Sequence, residues 1–256
     1  MNAIGNLFNA IFFQPILNLL VWLYVTIPGQ DIGIAIILLT LVIKLILYPL
    51  TQLQIKQQRA MQELQPKIEE IRQRLKDDKE KQAAELMELY KKDKVNPAAS
   101  CLPLLIQLPV FIALFSALKT GLQSHGLNML YPFVPNPQTI NAMFLGIFDL
   151  TKPNYVLAIL AGLVQFYQTR QILKPPAATV KAPPPEVAGT EGAKDESMTA
   201  IMNKQMTYMM PIMTVVIGFS LPGGLTLYWL TMSVLTVLQQ WLVLRRMPPK
   251  VEPHLN

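Results

Sequence analysis

What most constrains this chain is its set of apolar stretches long enough to cross a hydrocarbon core of ~30 Å. They fall at roughly residues 32 to 53, 100 to 120, 154 to 173, 205 to 221 and 223 to 244. A soluble core has no place for so many uninterrupted apolar segments. Composition agrees: 52% of the residues are hydrophobic and only 15% charged, well away from the balance of an ordinary globular domain. The reading is an all-α integral membrane protein built as a five-span helical bundle. One detail resists a purely structural account. The stretch "ILLTLVIKLILYPL" places a single lysine, Lys44, inside the first span.

Orientation follows from the basic residues. No Lys or Arg precedes Lys44, whereas residues 56 to 94 hold eleven, and Arg170, Lys174, Arg245 and Arg246 follow the third and fifth spans. The positive-inside rule puts these regions in the cytoplasm, so the N-terminus is expected outside and the C-terminus inside. Because they serve as topology signals, the net charge of +6 does not indicate a specific nucleic-acid partner. The start has no basic n-region and no small-residue cleavage site, and no removable signal peptide is expected.

The layout can then be laid out along the chain. Residues 1–31 form an extracytoplasmic segment whose apolar part, about 8 to 27, is interrupted by Asn9, Gln14, Pro15 and Asn18 and joined to the first span by only "PGQD". It either crosses the membrane or lies along it; an N-terminal interfacial helix is the preferred reading. Span 1 covers 32–56, a cytoplasmic helical hairpin 57–97, span 2 98–120, an extracytoplasmic loop 121–153, span 3 154–173, spans 4 and 5 205–246, and a cytoplasmic tail 247–256. The hairpin rests on periodicity. Met61, Leu64, Ile68, Ile71 and Leu75 make one stripe, Ala83, Leu86, Met87 and Tyr90 a second, and Asp77, Asp78, Lys79 and Glu80 mark the turn between them. Residues 174–204 are Pro/Ala/Gly-rich without periodicity and read as a disordered cytoplasmic linker. The fourth span is the shortest, which favours local thinning of the bilayer.

Lys44 lies about eleven residues into its span, about half the hydrocarbon thickness at 1.5 Å per residue. A lysine there costs roughly 2.5 to 3.5 kcal/mol and needs water or polar neighbours. Candidates exist on aligned faces: Thr40, Tyr48 and Thr51 with Lys44 on the first span, and Thr226, Trp229, Ser233, Thr236 and Gln240 on the fifth. Gln107 adds a polar group to the second span. For the Thr, Ser and Gln residues singly, interhelical hydrogen bonding is a sufficient explanation. It does not explain a full charge, so the faces are read as converging on a hydrophilic groove.

Other functions are set aside on residue type. The spans carry no Asp or Glu for a proton relay or cation carrier, and the two histidines, His125 and His254, fall outside them. No metal site and no catalytic constellation can be assembled, and no Walker-type glycine loop suggests nucleotide hydrolysis. Cys101 is read as a structural thiol. The chain is thus not expected to be an enzyme, and no cofactor is expected.

Together, "IILLTLVIKLILYPLTQLQ", "MQELQPK", "KVNP", "CLPLLIQLPVF" and "FSLPGGLTLYWLTMSVLTVLQQ", on either side of a charged hairpin, resemble the YidC-type membrane protein insertases and their mitochondrial and chloroplast relatives. The resemblance covers most of residues 13 to 246. It implies a five-span bundle with a hydrophilic groove open to the cytoplasm and to lipid, in a bacterial inner membrane. The implied activity is insertion and folding of membrane proteins, with nascent membrane proteins and lipids as partners and the ribosome and a Sec-type translocon alongside. Lys44 then supplies the groove charge, where the family usually has Arg, and Thr40, Tyr48, Gln107, Tyr228, Trp229, Ser233 and Thr236 line the groove. The hairpin residues Asp77, Asp78, Lys79 and Glu80 are expected to recruit ribosomes or targeting factors. A small-anion or lipid transporter using the same cavity is the rival reading.

Overall fold

The computed structural model describes residues 3–96, 102–122, 129–173 and 207–246. Cys101, His125, His254, the stretch read as a linker and the C-terminal tail lie outside the described residues.

The N-terminal segment begins with α1 (Ala3–Phe8), passes through one wide π turn at Asn9–Phe13, and continues as α2 (Gln14–Thr26). Pro15 has no N–H to continue the ladder, and the wide turn directly before it is where the helix adjusts. α3 (Ile32–Ile46) begins at Asp31, whose carboxylate accepts from the Gly33 N–H at 2.8 Å and the Ile34 N–H at 3.0 Å, satisfying two of the free donors of a helix start.

α3 does not run on through the "YPL" that follows it. It stops at Leu47, and α4 (Tyr48–Arg74) leaves at an angle of 69°. The cause is Pro49, which has no N–H to continue the ladder and sits in the first turn of the new helix. The residues read as one straight face from Thr40 to Thr51 therefore belong to two helices.

α4 turns back into α5 (Lys79–Lys92), and the two run antiparallel. Leu64, Ile68 and Val95 form their own small apolar cluster, with Met61, Leu86, Leu89 and Tyr90 against it. Arg74 pairs with Glu85, and Lys67 with Asp93 at 3.8 Å. Asp78 caps α5 by accepting from the Lys81 N–H at 3.0 Å. That bond, with the Lys81 ammonium at 2.9 Å, holds the Asp78 carboxyl below its usual value of 3.8.

The remaining helices are α6 (Leu102–Leu122), α7 (Tyr155–Leu173), α8 (Thr207–Gly218) and α9 (Gly223–Arg246). A two-stranded antiparallel hairpin, β1 (Met143–Phe144) and β2 (Phe148–Asp149), lies between α6 and α7. α9 is the hub, packed against α3, α4, α6 and α7. Its first two residues must be small. A Cβ at Gly223 would stand 3.0 Å from the Lys152 carbonyl oxygen, which accepts from the Gly223 N–H at 2.8 Å. α7 and α8 approach closely at Gly162, beside Val215, and at Gly218, beside Ala158, the small-residue contact by which apolar helices associate without a hydrophobic driving force.

The main core joins Leu17, Leu20 and Val21 of α2, Ile36 and Leu39 of α3, Leu114 and Leu118 of α6 and Leu225 of α9. Outward faces are also apolar: Ile159 and Leu163 of α7, Val216 of α8, and Leu238 and Leu242 of α9 are exposed. A helix assembly apolar inside and out is matched to lipid. By length and composition, Ile4–Thr26 and Gly223–Arg245 are each sufficient to cross a membrane, and the bent α3–α4 pair makes a third candidate. Gln107–Gly121 and Thr207–Gly218 are apolar but shorter.

Candidate functional site

Lys44 occupies the last turn of α3, just before the break at Leu47. Its side chain is 7% exposed, and its ammonium donates to Thr236 Oγ1 on α9 at 2.9 Å. The Thr236 hydroxyl in turn donates to the Met232 carbonyl at 2.7 Å, which turns its lone pairs toward the lysine. Ser233, three residues before Thr236, is buried on the same helix. An ammonium has three donors. Thr236 takes one of them, and no Asp or Glu occurs in α3, α6, α7, α8 or α9 to neutralise the charge.

The break below Lys44 is held by a residue that sequence reasoning missed. Gln239 of α9 donates to the Tyr48 carbonyl at 3.2 Å, and its amide meets the Thr51 hydroxyl at 2.8 and 2.9 Å. Both groups belong to the first turn of α4, immediately after the break. Gln239 thereby fixes where α3 ends, and so where Lys44 stands. The signal available in the sequence was "YP" itself, which marks a helix boundary.

A second polar contact lies between α6 and α9. Gln107 donates through Nε2 to the Tyr228 hydroxyl, which is almost fully buried. Next to it, Trp229 meets Phe111 of α6 edge to face, with ring centroids 6.1 Å apart. Of the residues expected to line one groove, Lys44 and Thr236 are therefore in direct contact, and so are Gln107 and Tyr228. Ser233 lies between the two contacts along α9. Thr40 is fully buried one turn before Lys44, and its hydroxyl is committed to the Ile36 carbonyl at 2.6 Å, so it pads the site and donates nothing to it. Tyr48, beyond the break, turns its ring to the exterior at 37% exposure. Gln240, one position after Gln239, is buried with its Oε1 unpartnered among the described residues.

Two further ties were not anticipated. Thr214 of α8 donates to Gln165 of α7. Asn18 of α2, read from sequence only as an interruption, accepts from the Tyr131 N–H at 2.5 Å and donates to the Met129 carbonyl at 3.3 Å. It anchors the loop between α6 and α7, and Tyr24 does the same by accepting from the Asn141 N–H at 2.9 Å.

Among the described residues no cluster of His, Cys, Asp or Glu is arranged to hold a metal. What the site offers is one cation among hydroxyls and amides inside an apolar assembly. Such an arrangement attracts carboxylates and hydrogen-bonds polar backbone, and it has no nucleophile paired to a base.

Comparison with known proteins adds a second line of observation. A family model described as 60Kd inner membrane protein matches residues 22–250. The chain is 35% identical over 216 residues to the membrane protein insertase YidC of Fusobacterium nucleatum subsp. nucleatum, covering 84% of this chain and 87% of that protein. It is 38% identical over 221 residues to the membrane protein insertase YidC of Actinobacillus pleuropneumoniae serotype 3, covering 85% of this chain and 34% of that one. With the protein of the same name from Haemophilus ducreyi it shares 35% identity over 240 residues, 93% of this chain and 38% of the other. The chain thus matches nearly the whole of the first relative and about a third of the length of the other two.

Proposed function

The chain belongs to the 60Kd inner membrane protein family, and on that premise we propose that it is a membrane protein insertase of a bacterial inner membrane, working without covalent chemistry or nucleotide. The relatives' names support the activity, and the apolar helices support the location. The observation that carries the mechanism is the Lys44 ammonium, buried on Thr236 with no carboxylate in α3, α6, α7, α8 or α9.

The proposed groove lies between α3, α6 and α9. A client's hydrophilic segment enters it from the cytoplasm, and carboxylates on that segment are drawn to Lys44. Hydroxyls and amides at Thr236, Ser233, Gln107 and Tyr228 stand in for part of the water that the segment gives up, which lowers the cost of moving polar groups into the bilayer. Thr40 and Trp229 complete its walls, while Tyr48 stands outside them. The client's apolar segment leaves sideways into lipid along the exposed faces of α7 and α9. The five-span count of this reading includes the shorter helices α6 and α8, with thinning of the bilayer at α8.

The N-terminal helix belongs at the outer interface in this reading. Its support is that Asn18 and Tyr24, about two turns apart, both bind the loop between α6 and α7, while Leu17 lies against Gly121 at the end of α6. The α4–α5 hairpin stands in the cytoplasm with Asp77, Asp78, Lys79 and Glu80 at its tip, offered to the ribosome and to a Sec-type channel. The N-terminus is outside and the C-terminus inside.

The test is reconstitution of the purified protein alone in liposomes, with insertion of a single-span client and flux of small anions measured side by side. Client insertion without flux supports the insertase. Anion flux without insertion supports the transporter reading, which the same cation allows.

A further inference from the structure

We propose that the β1–β2 hairpin is a lipid anchor, whose tip, Leu145 and Ile147, is seated in the outer leaflet at the boundary of headgroups and acyl chains. This rests on the membrane reading above and adds to it a surface with a defined partner.

The tip is apolar where a soluble hairpin is polar. Leu145 is 58% exposed and Ile147 70%, and Phe133 of the preceding loop is 75% exposed. The tip backbone selects against such residues. Leu145 has φ +52° and Gly146 φ +70°, with the Ile147 N–H bonded to the Phe144 carbonyl at 3.0 Å, a turn that has left-handed residues at both central positions. Asn-Gly or Asp-Gly satisfies that geometry. Leucine, with its Cβ, rarely adopts it. A strained, exposed leucine is explained if its side chain is needed where the tip projects.

The tip is also held in place. The Leu145 N–H donates to Asp31 Oδ2 at 2.6 Å, so the carboxylate that caps α3 binds the turn as well. The Phe144 ring fills the space where a Cβ on Gly33 would be. The Gly224 N–H donates to the Leu150 carbonyl at 3.0 Å, tying the end of β2 to the start of α9. The hairpin is thus riveted to the N-terminal ends of two apolar helices, at the end away from Lys44 and Arg245. Tyr155 and Val156 are also exposed, at the start of α7, and Phe219 is stacked edge to face on Tyr155. Aromatic and aliphatic groups at helix ends match the interfacial zone of a bilayer, and the one carboxylate at the turn, Asp31, is held by the N–H groups of Gly33, Ile34 and Leu145. Asp149 and Lys152, the nearest charges along the chain, neutralise each other at 3.1 Å.

The experiment places nitroxide labels on the full chain in a Cys101→Ala background, in vesicles of phosphatidylethanolamine and phosphatidylglycerol. Leu145→Cys and Ile147→Cys report on the tip, Leu163→Cys on the lipid-facing side of α7, and Lys79→Cys on the solvent. Collision rates with oxygen and with a water-soluble nickel chelate give depth. Labels at 145 and 147 are expected to shift away from the value at 79 toward that at 163 and to stop at interfacial depth. Values equal to position 79, with position 163 in lipid, overturn the anchor alone. A water-like value at 163 overturns the membrane reading and the anchor with it. Spin–spin broadening at 145 that grows with protein density shows a second copy on the tip and also overturns the proposal. Should removal of Cys101 unfold the protein, Ile147→Trp in the native background gives the same answer. Its added emission is expected to be quenched by lipids brominated near the headgroup, and no quenching overturns the anchor.

Discussion

The bundle and the α4–α5 hairpin are both helical, but they are held together in different ways. In the bundle, polar side chains tie one helix to another: Lys44 to Thr236, Gln107 to Tyr228, Gln239 to Tyr48 and Thr51. In the hairpin, α5 buries no residue at all, and α4 buries Leu64, Ile68 and Ile71. Its ion pairs, Arg74–Glu85 and Lys67–Asp93, are partly exposed, and pairs of that kind contribute only ~0–1 kcal/mol each. In the proposed reading a charge in the bundle therefore acts at low dielectric on an entering client, whereas charges in the hairpin are screened and serve for contact with large partners. Changes in the bundle should alter the insertion step. Changes in the hairpin should alter delivery and leave the bundle folded.

The largest effect is expected at Lys44. Lys44→Glu reverses the one charge in the proposed groove, and a unit-charge interaction at close range is worth ~1 kcal/mol in bulk water and ~4 kcal/mol near a protein surface. Insertion of clients with acidic translocated segments should fall by at least about tenfold, since ~1.4 kcal/mol is one decade in rate. Lys44→Ala should have a smaller effect and Lys44→Arg should retain activity. The measurement is insertion in vesicles, with acidic and neutral clients compared at equal protein levels. Equal insertion of both by Lys44→Glu would remove the electrostatic role.

Gln239 separates charge from position. Gln239→Leu removes one donor to the Tyr48 carbonyl and both amide contacts with Thr51, whose hydroxyl keeps the Leu47 and Tyr48 carbonyls as acceptors, a loss of ~0.5–1.5 kcal/mol per hydrogen bond. The α3–α4 break then loses its clamp, and the Lys44 ammonium its fixed distance from Thr236. Insertion should drop severalfold for acidic and neutral clients alike, unlike the client-selective loss at Lys44. Should Gln239→Leu discriminate between clients as Lys44→Ala does, the clamp would have no role separate from the charge.

How legible was this contrast in the sequence? The hairpin was readable because its stripes follow helical periodicity over long stretches, and Leu64 and Ile68 from that stripe do form its small core. The apolar character of the bundle was equally plain from composition. The break at Leu47 was not. Hydropathy continues across "ILYPL", and the proline that ends α3 looks like one more tolerated residue in an apolar run. Gln239 escaped notice for the same reason, because its partners Tyr48 and Thr51 belong to a second helix that begins at the bend. Asn18 was visible but misweighed: within α2 it interrupts hydropathy, while its side chain supports a loop more than a hundred residues away. Periodicity reports which face of a helix is buried, and it carries no information on which distant backbone group needs a partner.

A third prediction tests the hairpin side of the comparison. Deleting Asp77 to Glu80 removes the turn together with the Asp78 cap, and both lie outside the core that joins α2, α3, α6 and α9. The thermal transition of the bundle and insertion of a client released from the ribosome should stay near the parent values. Ribosome cosedimentation and co-translational insertion should fall. Unchanged cosedimentation would rule out recruitment through this tip.

The smallest effect concerns Asp78 and is a direct check on screening. Its carboxyl is held below the ordinary 3.8, first by the Lys81 backbone N–H and then by the Lys81 side chain. A depressed carboxylate contributes stability that is present above the unfolded value and is lost as pH falls through the folded value. The α5 cap should thus be intact throughout the neutral range and loosen only in acid below about pH 3.8. Since the backbone N–H is the larger cause, Lys81→Ala should leave most of the depression in place. A carbon-13 titration of the Asp78 carboxyl is expected to show a midpoint below 3.8 in the parent and a small upward shift in Lys81→Ala. A return of the midpoint to the ordinary value in Lys81→Ala would mean that an exposed ammonium governs the cap. Charges in the hairpin would then act with the strength reserved here for Lys44, and the contrast between the two regions would lose its basis in screening.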